Sequence, residues 1–89
     1  MTEIEYERKV EKFSQAMFKK LLDNRHKGDW SACDYAYLLR RLREETEELR
    51  FRLLGLIRSQ ATTPEQILSE AADVANFAMM IADNAGALK

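Results

Sequence analysis

One proline and three glycines are all that punctuate this chain. The turns of a β-sandwich or barrel draw on Gly and Pro at most reversals, so this chain can turn back on itself only a few times. Long helices need the least punctuation. At 89 residues there is room for one domain, and a doubly wound nucleotide-binding sheet would need more chain. A domain of this size buries only about 60% of its unfolded surface, so a lone copy is marginal. The expectation is a single all-α domain over residues 1–89, a few long helices completed by a second subunit.

Composition narrows the function classes. Hydrophobic residues at 46% and charged residues at 33% are a globular profile, not a disordered one. Fifteen acidic against fourteen basic residues, net −1, give no field to hold a nucleic acid polymer. Cys33 and His26 are the only residues of their kinds, which excludes internal disulfides, cysteine-based zinc sites and H-E-x-x-H chemistry. The longest apolar run, about Val74 to Ala82, is broken by Asn76 and too short for a bilayer. Glu3, Glu5 and Glu7 stand where a signal peptide would be basic and then apolar. A soluble, reduced, cytoplasmic protein with no membrane partner is expected.

Periodicity divides the chain into three helices, at about 3–24, 32–59 and 64–85. Thr2 and Glu5 have the spacing of a capping box, and Tyr6, Val10, Phe13, Met17 and Leu21 follow as one apolar stripe. Residues Asn24 to Trp30 break the period and read as a loop, with Ser31 expected to cap the second helix. Leu38, Leu42, Leu49, Leu53 and Leu56 carry that helix's apolar face. Thr63-Pro64-Glu65-Gln66 is a stronger start signal, Ile67, Ala71, Val74, Ala78 and Ile81 make the third stripe, and Gly86 is a stop. The pattern predicts a three-helix antiparallel bundle fragment. Leu39, Phe51, Leu54 and Ile57 lie off the second stripe, and that width calls for burial on two sides, in a homodimer or homotetramer.

The informative departures are acidic. Between Leu42 and Leu49, the position that continues the leucine stripe holds Glu45, and Glu48 lies one turn on at its edge. On the third helix Glu70 and Asp73 are also three apart, flanked by Ile67, Val74 and Phe77. Spacings such as Arg41–Glu45 and Glu48–Arg52 suit ordinary i,i+4 pairs on a solvated face, and Glu44 and Glu47 point that way. Glu45 does not, because an unpaired carboxylate facing a core costs several kcal/mol. Two such pairs on adjacent helices would bring four carboxylates together, self-repelling unless a cation sits among them. Oxygen-only donors favour Mg²⁺, with Mn²⁺ as the alternative, over zinc or copper. A di-iron bundle would need Glu-x-x-His pairs, which neither helix has.

Glu44-Glu45-x-x-Glu48-Leu49 followed by Glu70-x-x-Asp73-Val74 resembles the E-E-x-x-E … E-x-x-D pattern of the MazG-like all-α nucleoside triphosphate pyrophosphohydrolases. Lys27-Gly28-Asp29-Trp30 and Asp73-Val74-Ala75-Asn76-Phe77 resemble that family too, so the likeness runs from about Lys27 to Asn84. The resemblance implies an Mg²⁺-dependent enzyme that hydrolyses a nucleoside triphosphate between the α- and β-phosphates. It implies Glu45, Glu48, Glu70 and Asp73 as metal ligands, with one of them or Glu44 taking the proton of the attacking water.

Within that resemblance, Lys27 with Arg25 would meet phosphate oxygens, or else be solvated loop charge. Trp30 would stack on a base or staple the start of the second helix. Asn76 and Asn84 would bond a base edge or ribose, with an interhelical contact the other reading for Asn76. Relatives with a longer C-terminal part cover the triphosphate with it; here cover would come from the first helix or a neighbouring subunit. A non-catalytic helical interaction module is the competing function. An RNA- or DNA-binding helical protein is disfavoured by the balanced charge.

Overall fold

Thr2, Asp34 and Thr63 each start a helix in the computed structural model, which describes residues 1–89. Each side-chain oxygen accepts the amide three residues on: Glu5 N at 3.1 Å, Tyr37 N at 2.7 Å and Gln66 N at 3.2 Å. The helices are α1 (Glu3–Asp23), α2 (Tyr35–Ile57) and α3 (Pro64–Asn84), with no strand. Only α3 has the complete capping box, in which Gln66 Oε1 also accepts from Thr63 N at 2.9 Å.

The start of α2 differs from expectation. Ser31 does not cap it, because Ser31 lies inside a short 3₁₀ turn, Trp30–Ala32, whose own cap is Asp29, its carboxylate accepting the Ser31 amide at 2.8 Å. Cys33 and Asp34 then run extended, and Asp34 becomes the cap. The helix therefore begins at Tyr35, not near residue 32, and ends at Ile57, not near 59. Ser59, at φ 57°, turns the chain out of it. A second 3₁₀ turn, Arg25–Lys27, precedes Gly28, whose φ of 97° and ψ of −178° suit glycine alone.

α3 packs against both α2 and α1, while α1 and α2 make no close backbone approach to each other. Both contacts run antiparallel. Arg41 lies against Phe77 while Arg52 reaches Glu70, and Met17 meets Asn76 while Lys20 meets Asp73. The start of α2 is tied to the end of α3. Trp30 Nε1 donates to Asp83 at 3.0 Å, Asn84 Nδ2 donates to the Trp30 and Cys33 carbonyls, and Tyr35 Oη donates to the Asn84 carbonyl. At the other end Gly55 is buried, and a Cβ there would sit 2.5 Å from Thr62 Oγ1, so any larger residue would have to displace the Thr62 side chain where the α2–α3 connection folds back.

Little apolar side chain is fully buried: Leu38 and Ala72 are the whole of it. The apolar stripe expected on α1 is covered only in its second half, since α1 meets α3 near Met17 and Lys20 and leaves Ile4, Tyr6 and Val10 exposed. On α2, Phe51 and Ile57 are 73% and 69% exposed. No helix is long and apolar enough to cross a membrane.

Candidate metal centre and adjoining cavity

The acidic positions on α2 and α3 come together because the two helices are antiparallel with Glu45 level with Asp73. One carboxylate oxygen each from Glu45, Glu70 and Asp73 lie within 4.8 Å of one another. Glu45 is the buried member at 6% exposure, while Glu70 and Asp73 are half-buried. Glu48 is exposed, beside Glu45 and Glu70, and forms no ion pair. Of the four expected ligands, three converge and the fourth stands at the rim.

Three basic side chains offset this charge. Arg41 Nη2 donates to Glu45 Oε1 at 2.7 Å, Lys20 Nζ to Asp73 Oδ2 at 3.2 Å, and Arg52 Nε lies 3.6 Å from Glu70 Oε1. Arg52 thus reaches across to α3 and not to Glu48 on its own helix. The compensation is incomplete. Glu45 Oε2 is buried with no hydrogen-bond partner. Burial, then the neighbouring Glu48 and Asp73 carboxylates, push the Glu45 carboxyl up to about 7, against the pull of Arg41. Burial and the same kind of crowding, by Glu48 and then Asp73, also raise Glu70. Glu44 points elsewhere, held on the exposed side of α2 by Arg40 at 3.7 Å and by Arg41.

These donors suit a hard divalent cation. All are oxygens, and Glu45, which supplies one of them, also carries a buried carboxylate oxygen that nothing satisfies. Their spread is close to the ~4.2 Å that separates oxygens on opposite sides of an ion bound at about 2.1 Å. A bound cation would also relieve the crowding that raises Glu45 and Glu70.

The cluster opens into a cavity of about 730 Å³ between the end of α1, the loop after it, and the facing parts of α2 and α3. Lys20, Arg25, Lys27 and Arg41 line it, with Glu45 and Asp73 at the metal side and Trp30, Phe77 and Met80 among its apolar surfaces. Arg25 and Lys27 have no carboxylate within ion-pair range. Gly28 holds the loop that presents them, and the bond to Asp83 fixes the Trp30 ring in the cavity wall. Asn76, 4% exposed, also lines the cavity; its Nδ2 donates to the Met17 carbonyl at 3.0 Å and its buried Oδ1 has no partner.

Asn84 lies outside this cavity, with its amide committed to the Trp30 and Cys33 carbonyls, so its place in the structure is that of a tie between segments. The counter-ions from other helices escaped the sequence reading. Lys20 carried no signal of its own beyond sitting next to Leu21 on the covered stripe of α1. The Arg41–Glu45 spacing was visible, but its position inside a cavity was not. Comparison with protein-family models, with curated proteins and with solved structures finds no match to this chain.

Proposed function

We propose that this protein is a MazG-like, Mg²⁺-dependent nucleoside triphosphate pyrophosphohydrolase that releases pyrophosphate and a nucleoside monophosphate. The observation that carries the reading is the convergence of Glu45, Glu70 and Asp73, with a buried, unpartnered oxygen on Glu45, at the edge of a cavity with four basic residues. Acids alone would fit many surfaces. Acids beside a basic-lined cavity fit a ligand that is itself anionic and brings a cation with it.

Glu45, Glu70 and Asp73 would hold the ion, which when bound neutralises phosphate charge and makes a water more acidic. Glu48, exposed beside them and free of a cationic partner, is placed to complete the ligand set or to take the water's proton. Glu44 is occupied by Arg40 and Arg41 and lies on the far side of that guanidinium. Arg25 and Lys27, unpaired on the loop, meet the phosphates. The indole of Trp30 supplies an apolar surface for a base, and Asn76, bonded to the Met17 carbonyl, braces the same wall.

The active unit in this reading is a homodimer or homotetramer. Phe51 and Ile57 at the end of α2, and Ile4, Tyr6 and Val10 at the start of α1, are exposed apolar side chains that further copies of the chain would cover, completing a bundle across those contacts. The test is pyrophosphate release from a panel of NTPs and dNTPs with Mg²⁺, for the wild type and Glu45→Gln, alongside sedimentation. Turnover lost in Glu45→Gln and confined to the oligomer supports the reading. Full activity in Glu45→Gln removes the metal site, and no turnover on any nucleotide favours the non-catalytic interaction module.

A further inference from the structure

Arg41 has an unusual position among the charged groups. One face of its guanidinium lies over the Phe77 ring, 5.1 Å from the centroid, and its two terminal nitrogens are divided between Glu45, at 2.7 Å, and Glu44. It also lines the cavity that Lys20, Arg25 and Lys27 line. It therefore touches a carboxylate of the candidate metal cluster and the space beside it at once. Arg52, which pairs with Glu70, does not line that cavity.

A divalent cation and a guanidinium cannot share the Glu45 carboxylate without repelling each other. Glu45 Oε2 is already buried and unpartnered, so the bond to Arg41 satisfies only half of this carboxylate. A cation at Glu45 takes over the charge that Arg41 now offsets. The guanidinium would keep Glu44 and the Phe77 ring, and one terminal nitrogen would be left without its carboxylate. Guanidinium N–H groups match the oxygens of a phosphate in pairs, which an ammonium cannot do.

Resting on the metal-site reading above, we propose that Arg41 is a polyphosphate-binding residue held in reserve: it is bonded to Glu45 in the metal-free protein and is released to the anionic ligand when a divalent cation takes that carboxylate. Metal and polyphosphate then bind with positive coupling, because the first frees a donor for the second.

Isothermal titration calorimetry with MgCl₂ alone, and with inorganic tripolyphosphate in saturating Mg²⁺, tests this without turnover. For Arg41→Met the proposal expects opposite changes. Mg²⁺ alone binds about 3- to 10-fold tighter, since a competing cation is gone, and tripolyphosphate binds about 10- to 100-fold weaker, since a charge-assisted donor is gone. Arg52→Met makes the same change in net charge outside the cavity, so it tightens Mg²⁺ but leaves tripolyphosphate within about 3-fold of wild type. Arg41→Lys keeps the charge and loses the paired donors; it retains wild-type Mg²⁺ affinity with weakened tripolyphosphate binding, and serves if the methionine variant does not fold.

Equal losses of tripolyphosphate binding in the Arg41→Met and Arg52→Met variants would reduce Arg41 to a general field effect and overturn the proposal. So would Mg²⁺ and tripolyphosphate affinities that weaken together in Arg41→Met. A wild-type protein that binds no Mg²⁺ at millimolar concentration overturns the metal site and this proposal with it. A wild type that binds both ligands while neither Arg41 variant differs from it overturns the proposal alone.

Discussion

The middle of the α2–α3 contact and the far ends of α1 and α2 invert the usual distribution of side chains. In the middle, the buried positions include a carboxylate and an amide, Glu45 and Asn76. At the ends, Val10, Phe51 and Ile57 are each more than two-thirds exposed. An isolated globule gains nothing from either arrangement, because burying a carboxylate costs free energy and exposing aromatic surface forgoes it. Under the proposed function, the centre would be occupied by an ionic ligand and the ends covered by other copies of the chain.

The largest expected effect breaks the central half of this contrast. Glu45→Leu should lower pyrophosphate release at least about 1000-fold. The same substitution should raise the melting temperature of the metal-free protein, because a leucine in that position needs no counter-charge. Calorimetry and a pyrophosphate assay on one preparation check both. A variant that is inactive and also less stable would show that Glu45 serves the fold and not a ligand.

Next in size is the other half. Phe51→Asp combined with Ile57→Asp should weaken self-association by about 3–4 kcal/mol, since each would place a carboxylate in a covered apolar contact. Sedimentation across a concentration series reads this directly. An unchanged association state would show that these side chains are simply solvated.

A third test sharpens the centre through pH. The folded Glu45 carboxyl keeps its proton to about pH 7, whereas an unfolded glutamate releases it near its ordinary 4.5. Between those values the folded state binds more protons, so the stability of metal-free protein should fall as pH rises from 4.5 to 7, by about 3 kcal/mol at most. Saturating Mg²⁺ should abolish the decline, because the ion favours the deprotonated ligand set. Urea midpoints at several pH values with and without Mg²⁺ measure it. Stability that rises over that range without metal would contradict the crowding of these carboxylates.

The smallest effect concerns the one tight spot at the apolar end. Gly55→Val would press a side chain against Thr62 and should cost about 2 kcal/mol without altering Mg²⁺ affinity. A lower urea midpoint with an unchanged Mg²⁺ titration is the expected pair of readings. A loss of metal binding in this variant would mean that the two ends are mechanically coupled.

Much of this was legible in the residues. Helices leave a periodic trace, so all three were visible, and the Thr63 box marked the start of α3 to the residue. Glu45 showed itself as an acid in a leucine stripe, and Glu70 and Asp73 as acids among Ile67, Val74 and Phe77. The start of α2 was misplaced because Ser31 and Asp34 are both competent caps. What decided between them was Asp29, which caps a short 3₁₀ turn of its own, holds Ser31 inside that turn and leaves the extended capping position to Asp34. Asn84 had the chemistry of a base-reading residue, yet its amide is committed to two carbonyls brought near only by the return of α3 to the start of α2.

By itself the sequence determined the helical class, the faces of the helices and the presence of acids where a leucine belonged, because each is written in spacings of three and four residues. Only the tertiary structure decided that α1 would reach α3 and not α2. It likewise decided that Lys20 and Arg52 would meet acids on another helix, and that Arg41 would stand between a carboxylate cluster and a cavity. The reason is physical: periodicity fixes which way a side chain points from its own axis, but not which other axis lies there to meet it.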